Sequence, residues 1–324
     1  MELKNRNIRV LITGGSGFIG TNLIESLVNK EYNVLNIDKE KPLNPEQNKY
    51  WQKLDIMNFQ ELGNTFITFK PHYVVHLAAV ADLEGNQLDY YSVNTDGVYN
   101  IIQAIRKCPS IRKTIFTSTT LVCRAGYSPK DNRDYCPDTV YGESKRFGEA
   151  QLWESKLPSK WVIVRPTSIW GPWIVKTSYN QFFKMIMSRK FFNLSKKRSG
   201  VKTFGFVLNT VYQIETLLFN KSNKDVFYLG DKEPYIVSEW ADEISFSLRK
   251  KKNIVMPYSV LMLLALFGDL LHLFKLKFPL TSFRLKNMKL KYITEINQDV
   301  FNQEPFTRRQ GVEITLKWFT DYYK

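Results

Sequence analysis

Residues 8–30 read IRVLITGGSGFIGTNLIESLVNK. Ile8–Thr13 is a short apolar run of the kind that makes a buried strand, and Gly20–Lys30 has the pattern of a helix. Between them lies Thr13-Gly14-Gly15-Ser16-Gly17-Phe18-Ile19-Gly20. Glycines there let the backbone turn tightly and approach a pyrophosphate, and the helix N-terminus presents unpaired N–H groups to the anion. A lone glycine-rich motif is weak; its place between a strand and a helix gives it weight. Tyr32–Asp38 reads as a second strand, which puts Asp38 18 residues after Gly20 and at a strand end. A carboxylate there accepts both ribose hydroxyls of NAD and repels a 2′-phosphate, so NAD is expected rather than NADP.

Outward from this unit, Tyr73–Ala78, Thr114–Ser118 and Trp161–Arg165 read as further strands, with helices between them, Val98–Lys107 among these. Apolar strands alternating with helices imply a parallel sheet covered on both faces. After Arg165 the pattern loosens into the loop RPTSIWGPW. Thr203–Asn209 and Val226–Leu229, with the helix-like Thr210–Asn220 between, look like a return to the sheet, and the tail from Asp231 is mostly helical. The expectation is an α/β protein: a Rossmann-type doubly wound parallel sheet with a smaller, mostly helical C-terminal substrate lobe. The two are interleaved, 1–170 plus 203–230 forming the NAD-binding domain and 171–202 plus 231–324 the lobe.

The chain has 324 residues, 44% of them hydrophobic and 24% charged, which excludes disorder, collagen and coiled coil as descriptions of the whole. Cys108, Cys123 and Cys136 show no Cys-x-x-Cys spacing, and the histidines are His72, His76 and His272. A disulfide scaffold and a structural zinc site are not expected, and no metal is assigned. The cysteine usage fits a reducing compartment, and no secretory signal opens the sequence, so a cytoplasmic location is expected. The net charge is +15. Residues 176–214 hold eight basic residues and no acid, and residues 249–291 hold ten and one acid, Asp269. The positive charge thus belongs to the second half and calls for an anionic partner.

With the glycine loop in place, the chain resembles the extended short-chain dehydrogenase/reductase family, the NAD-dependent epimerase/dehydratase group. Beyond TGGSGFIG, the matching segments are Leu54-Asp55-Ile56, His76-Leu77-Ala78-Ala79, Asn94 in VNTDG and Thr117-Ser118-Thr119. Tyr141 and Lys145 in YGESK, and Arg165-Pro166 with Gly171-Pro172, continue the series in family order. The resemblance implies NAD contacts from Gly14, Gly17, Phe18, Ile19, Gly20, Asp38, Asp55, Ile56, Leu77, Ala78, Ala79, Asn94, Lys145 and Pro166. Asn94 is equally a favoured helix cap, and His76 at a buried strand end reads as packing. Tyr127 and Asp82 are placed near the expected cleft without a role.

Tyr141 and Lys145 are four apart, so a helix puts them on one face. A lysine beside a phenol favours the phenolate and lowers its pKa. A tyrosine so shifted can take a proton from a substrate hydroxyl while hydride leaves for the nicotinamide. Alignment with the family assigns Thr119, rather than Ser118, to hold that oxygen. The family's sugar 4,6-dehydratases carry Asp-Glu where this chain has Thr120-Leu121, which disfavours dehydration. Ser168 stands where many nucleotide-sugar epimerases carry an Asn that contacts the diphosphate. Ser168, Arg198 and Arg284 are the candidate substrate contacts, the arginines because a guanidinium fork matches phosphate oxygens.

The expected enzyme is an NAD-dependent epimerase or oxidoreductase acting on a sugar hydroxyl, with a nucleotide sugar of surface-polysaccharide biosynthesis as substrate. Its rivals are a 3β-hydroxysteroid-dehydrogenase-like enzyme on an apolar or lipid-linked alcohol, and an NAD-bound regulatory protein. No nucleic-acid reading module accompanies the basic stretches. Val260–Phe274, VLMLLALFGDLLHLF, is too short to span a bilayer. It reads as a buried helix closing the lobe, as an interfacial helix placing 257–280 on anionic lipid at the inner face of the membrane, or as a homodimer contact.

Overall fold

The computed structural model describes residues 5–175, 177–220, 224–274, 276, 278, 280–297, 300–301 and 303–323. Of the basic residues singled out above, Lys176, Lys275 and Lys277 lie outside the described residues.

The chain begins β1 (Arg9–Thr13), α1 (Phe18–Asn29), β2 (Asn33–Asp38), β3 (Trp51–Lys53), α2 (Phe59–Phe69) and β4 (Tyr73–His76). It goes on through α3 (Ser92–Arg106), β5 (Lys113–Thr117), α4 (Val140–Glu154) and β6 (Lys160–Pro166). Then come β7 (Ser168–Trp170), α5 (Ser178–Met187), β8 (Val201–Lys202), β9 (Phe204–Phe206), α6 (Val207–Phe219) and β10 (Val226–Leu229). The remainder is β11 (Tyr235–Ile236), α7 (Val237–Arg249), α8 (Tyr258–Leu273), α9 (Ser282–Lys289) and α10 (Arg308–Tyr322).

Seven strands pair in the order β10-β6-β5-β4-β1-β2-β3, all parallel. This is the doubly wound sheet expected from the sequence. The chain builds outward from β1 through β2 and β3, then from β4 the other way. The reversal opens a crevice at the carboxyl ends of β1 and β4, where such sheets bind ligands. Strand side chains alternate between two apolar layers. Val10, Ile12 and Val75 meet Leu23, Ile24 and Leu27 of α1 and Ile214 and Leu218 of α6. Leu11, Val74 and Ile163 meet Phe66 of α2, Ile101 and Ile105 of α3 and Leu152 of α4. Both faces of the sheet are dry, which is why its strands read as continuous apolar runs.

A separate aromatic core serves the lobe, built on Trp170, Phe183, Phe204, Phe206, Trp240 and Phe319; of these, Trp170, Phe204 and Phe206 fall in 1–170 and 203–230, the segments expected to form the NAD-binding domain. Its small sheets differ from the sequence expectation. Val226–Leu229 does return to the main sheet, but Phe204–Phe206 pairs with Ser168–Trp170 in a separate two-stranded sheet. The alternation of apolar residues is the same in both cases; what differs is the partner, and Trp170 draws both strands toward the lobe core. Regular elements that went unread in the sequence include β3, α5, β8 and β11, and β7, which lies inside the segment read as a loop.

A buried ion pair ties the sheet to α4. Arg165 of β6 donates from Nε and Nη2 to both carboxylate oxygens of Glu149 on α4, at 3.0 and 2.6 Å, with both side chains shielded from solvent. The guanidinium also donates to the Tyr228 hydroxyl and the Asn132 carbonyl oxygen, at 2.8 and 2.7 Å, and the Tyr135 hydroxyl donates to Glu149 at 2.9 Å. Four of the five guanidinium N–H donors are thus partnered, the kind of satisfaction a buried pair needs.

Candidate active site

Gly14 has φ +70°, and a Cβ on it would lie 2.5 Å from the Ala78 nitrogen, so the turn after β1 closes against the end of β4 only with glycine. Gly17 is the N-cap of α1 and supplies no side-chain cap, and no acidic residue occupies the first turn. A Cβ on Gly17 would meet only the Gly14 carbonyl oxygen, at 3.3 Å. Packing within the protein therefore does not demand glycine there. The space it leaves lies over uncapped helix N–H groups, which suits a diphosphate.

Asp38 closes β2 beside this loop. Its Oδ2 accepts from the Ser16 N–H at 3.1 Å and its Oδ1 from the Glu40 N–H at 3.0 Å. Burial pushes its pKa up from the ordinary carboxylate value, against the pull of those N–H donors. A cleft of about 960 Å³ runs from Asp38, Asp55 and Ile56 past Gly14, Gly17, Phe18, Ile19 and Gly20 to Leu77, Ala78 and Ala79. It ends at Thr119, Tyr141, Lys145 and Pro166. These are the residues expected from the sequence, gathered along one wall-to-wall groove, and they fit NAD.

Tyr141 is brought to the groove by the start of α4. Thr139 caps this helix, its hydroxyl accepting from the Gly142 N–H at 3.0 Å. A Cβ on Gly142 would lie 2.2 Å from the Leu121 carbonyl oxygen, so the glycine allows the helix to press against the turn after β5. Across that contact Thr119 and Tyr141 line the same end of the groove, Thr119 near enough to pull the phenol's pKa down. Lys145, one turn on, is buried and donates from Nζ to the Thr117 carbonyl oxygen at 2.6 Å. The ring of Tyr91 packs on that of Tyr141 with centroids 5.9 Å apart.

The electrostatics correct one sequence expectation. Burial holds the Tyr141 phenol at about 12, above its ordinary value, with nearby Thr119 acting the other way. Burial also pulls Lys145 down to about 8, partly offset by Glu149. Desolvation acts on both groups, and it outweighs the expected lowering of the phenol. His76 is neutral: burial, then Lys145, hold its pKa down at about 3. Its Nδ1 pairs with the Thr13 hydroxyl at 2.7 Å and its ring meets Phe116 edge-on, the packing role the sequence suggests.

Other candidates fall elsewhere. Asn94 is neither a cap nor part of the groove. It sits within α3, bonds the Val80 N–H and carbonyl at 2.9 Å each, and donates to the Ser144 hydroxyl at 2.9 Å. It joins the loop after β4 to α4. Ser168 is exposed near Tyr179, whose pKa it pulls down, and that tyrosine, not the serine, lines the groove. The Arg198 guanidinium lies over the Tyr258 ring at 5.2 Å, and Arg284 is on α9; neither lines the groove. Tyr127 donates to Asp134 at 2.6 Å, and Asp82 accepts from Tyr90 at 3.2 Å. Trp173, Thr177 and Tyr179 line the groove and were missed. Only the aromatic density of IWGPW hinted at them.

The carboxylates lining the groove are Asp38, Glu40 and Asp55, all at the β2–β3 end. Among the described residues none lines the Tyr141 end, where Thr120 and Leu121 form a turn capped by the Thr119 hydroxyl, which accepts from the Leu121 N–H at 3.2 Å.

Comparison with known proteins agrees with this geometry. The family model of the NAD dependent epimerase/dehydratase family matches residues 10–210. An N-acetyl-alpha-D-glucosaminyl-diphospho-ditrans,octacis-undecaprenol 4-epimerase of Escherichia coli O157:H7 is 30% identical over 96% of this chain and 95% of its own. The fold is that of a Thermotoga maritima UDP-glucose 4-epimerase solved with UDP-glucose, at TM-score 0.75, 18% identity and coverage of 98% and 100%. It is also that of the Bordetella bronchiseptica enzyme WbmG solved with NAD, at TM-score 0.74, 20% identity and coverage of 99% and 97%. With the glycine loop, Asp38 and the Tyr141–Lys145 helix along one groove, the chain belongs to the NAD dependent epimerase/dehydratase family and is an NAD-dependent enzyme of that type.

Proposed function

We propose that the protein is an epimerase that inverts a secondary alcohol of a sugar diphosphate. The observation that carries this reading is that Tyr141, Thr119 and buried Lys145 converge at one end of the groove, where no carboxylate among the described residues lines it. Bound NAD supplies a hydride acceptor and donor and, when oxidised, a positive ring that favours phenolate. Tyr141 takes the substrate hydroxyl proton as the carbinol becomes a ketone, and returns it after the ketone has presented its other face. Thr119 holds the reacting oxygen. Lys145 adds positive charge and holds its own place through the Thr117 carbonyl. Dehydration needs an acid at the neighbouring carbon, and Thr120 and Leu121 supply none.

The relative matched over nearly its whole length acts, by its name, on N-acetylglucosamine joined through a diphosphate to undecaprenol. That favours a hexose diphosphate whose carrier is either a nucleotide or a polyprenol. The test is conversion of UDP-N-acetylglucosamine and of a polyprenyl-diphosphate N-acetylglucosamine by protein carrying its own NAD. Turnover of either without added cofactor supports the reading. Consumption of added NAD one for one with an apolar alcohol would replace it with the dehydrogenase reading.

A further inference from the structure

The longest apolar run of the sequence forms α8, and it is not a core helix. Only Leu261, Ala265 and Gly268 are buried, seated against Leu194 and Leu285. A Cβ on Gly268 would lie 1.9 Å from the Leu280 carbonyl oxygen, so the returning chain is pressed onto this narrow stripe. The opposite face stands in solvent. Leu263, Leu266, Phe267, Leu270 and Leu273 recur at helical spacing with exposures from 51% to 79%, and Phe283 of α9 is 73% exposed. A patch of this kind on a folded surface marks an interaction site.

We propose that this face of α8, with the α8–α9 hairpin, docks on an anionic lipid bilayer. Charge selects this occupant. Lys250, Lys251 and Lys252 are exposed just before the helix, and Lys286, Lys289 and Lys291 after it. Asp269 is the only acid between residues 249 and 291, and its carboxylate is taken by the Ser282 N–H at 3.1 Å. An apolar stripe rimmed by lysines matches an acyl boundary beneath anionic headgroups. No helix among the described residues is long and apolar enough to cross a membrane, so the contact lies in the interface plane. The hairpin also reaches the reaction site. Tyr292, just after α9, donates to the Thr120 and Cys123 carbonyl oxygens at 3.2 and 3.4 Å, in the turn that follows Thr119. Resting on the epimerase reading above, docking lets a substrate keep its lipid carrier in the bilayer while its sugar diphosphate enters the groove.

The experiment is co-sedimentation of the full chain with vesicles of phosphatidylcholine alone or with about one-third phosphatidylglycerol, at low and high salt. Binding is expected to the anionic vesicles and to weaken with salt. Leu263→Asp/Leu270→Asp should lose at least tenfold in affinity while keeping its melting temperature and bound NAD. Replacing Lys250, Lys251 and Lys252 by Gln should lose about fivefold per residue, up to about a hundredfold. Equal recovery of the wild type and the aspartate variant overturns the proposal. So does an absence of vesicle binding combined with a dimer in ultracentrifugation that the same variant dissolves, which would make α8 a contact between copies. Vesicle binding requires no turnover, so its failure leaves the epimerase reading standing, and an inactive protein that binds leaves the docking standing.

Discussion

Gly17→Ala separates what the glycine loop does for folding from what it does for the cofactor. At Gly14 an alanine is refused twice, by φ +70° and by a Cβ 2.5 Å from the Ala78 backbone nitrogen, so Gly14→Ala damages the fold. At Gly17 the backbone is extended, with φ −80°, and the added methyl meets only the Gly14 carbonyl oxygen at 3.3 Å. An alanine in place of an N-cap glycine costs about 1 kcal/mol. The same methyl projects into the space over the α1 N-terminus where a diphosphate must approach the backbone. NAD affinity should therefore fall by roughly a hundredfold, about 2.7 kcal/mol. The assay is thermal melting with and without NAD, alongside titration calorimetry. Saturating NAD at about 100 times its Kd adds about 2.7 kcal/mol, which moves the melting point of a chain this long by about 4 °C. Wild type should show that shift. Gly17→Ala should melt within about 2 °C of cofactor-free wild type and shift by less than about 1 °C at that NAD concentration. A Gly17→Ala protein that binds NAD as tightly as wild type would refute the argument, since the space over the helix would then have no bearing on the cofactor.

Tyr141→Phe keeps the ring packed on Tyr91 and removes only the hydroxyl; kcat should fall by about 10²–10⁴-fold while bound NAD is unchanged, as read by turnover and by cofactor release on denaturation. Arg165→Met leaves Glu149 buried without its guanidinium partner, and urea unfolding should show a loss of about 3–5 kcal/mol. His76 is held near 3 against 6.5 in the unfolded chain, so below about pH 6.5 only the unfolded state takes the proton. Stability therefore falls as pH drops through this window, by about 2 kcal/mol between pH 7 and pH 5 from this group. His76→Gln should flatten that part of the curve in urea titrations at the two pH values; an unchanged difference would mean His76 is not buried neutral.

The parallel sheet and the cofactor wall were legible because their physics is local. An apolar run followed by glycines and a helix start can be read from adjacent residues, and Asp38 and the Tyr141–Lys145 spacing follow from strand and helix geometry. Other features are set by distant partners. Asn94 had the sequence of a cap or a cofactor ligand, but Val80 and Ser144 consume its amide. Arg198 had the charge for a phosphate, but a tyrosine of α8 takes its face. The pairing of β7 with β9 depends on Trp170 finding the lobe core, which no window around either strand reveals. The direction of the Tyr141 shift depends on burial, and burial is a property of the whole fold. Helix α8 was legible as apolar with buried, interfacial and dimer readings all open; which face stays exposed is decided by its distant partners Leu194, Leu280 and Leu285.

The proposed epimerase keeps and recycles its cofactor, whereas a net dehydrogenase exchanges it every turn. Protein purified without added cofactor can be denatured and the supernatant assayed for nicotinamide dinucleotide. Near one NAD per chain, with sugar diphosphate then turned over by untreated protein, is the result expected. A cofactor-free protein that oxidises an alcohol only while consuming added NAD one for one would contradict it.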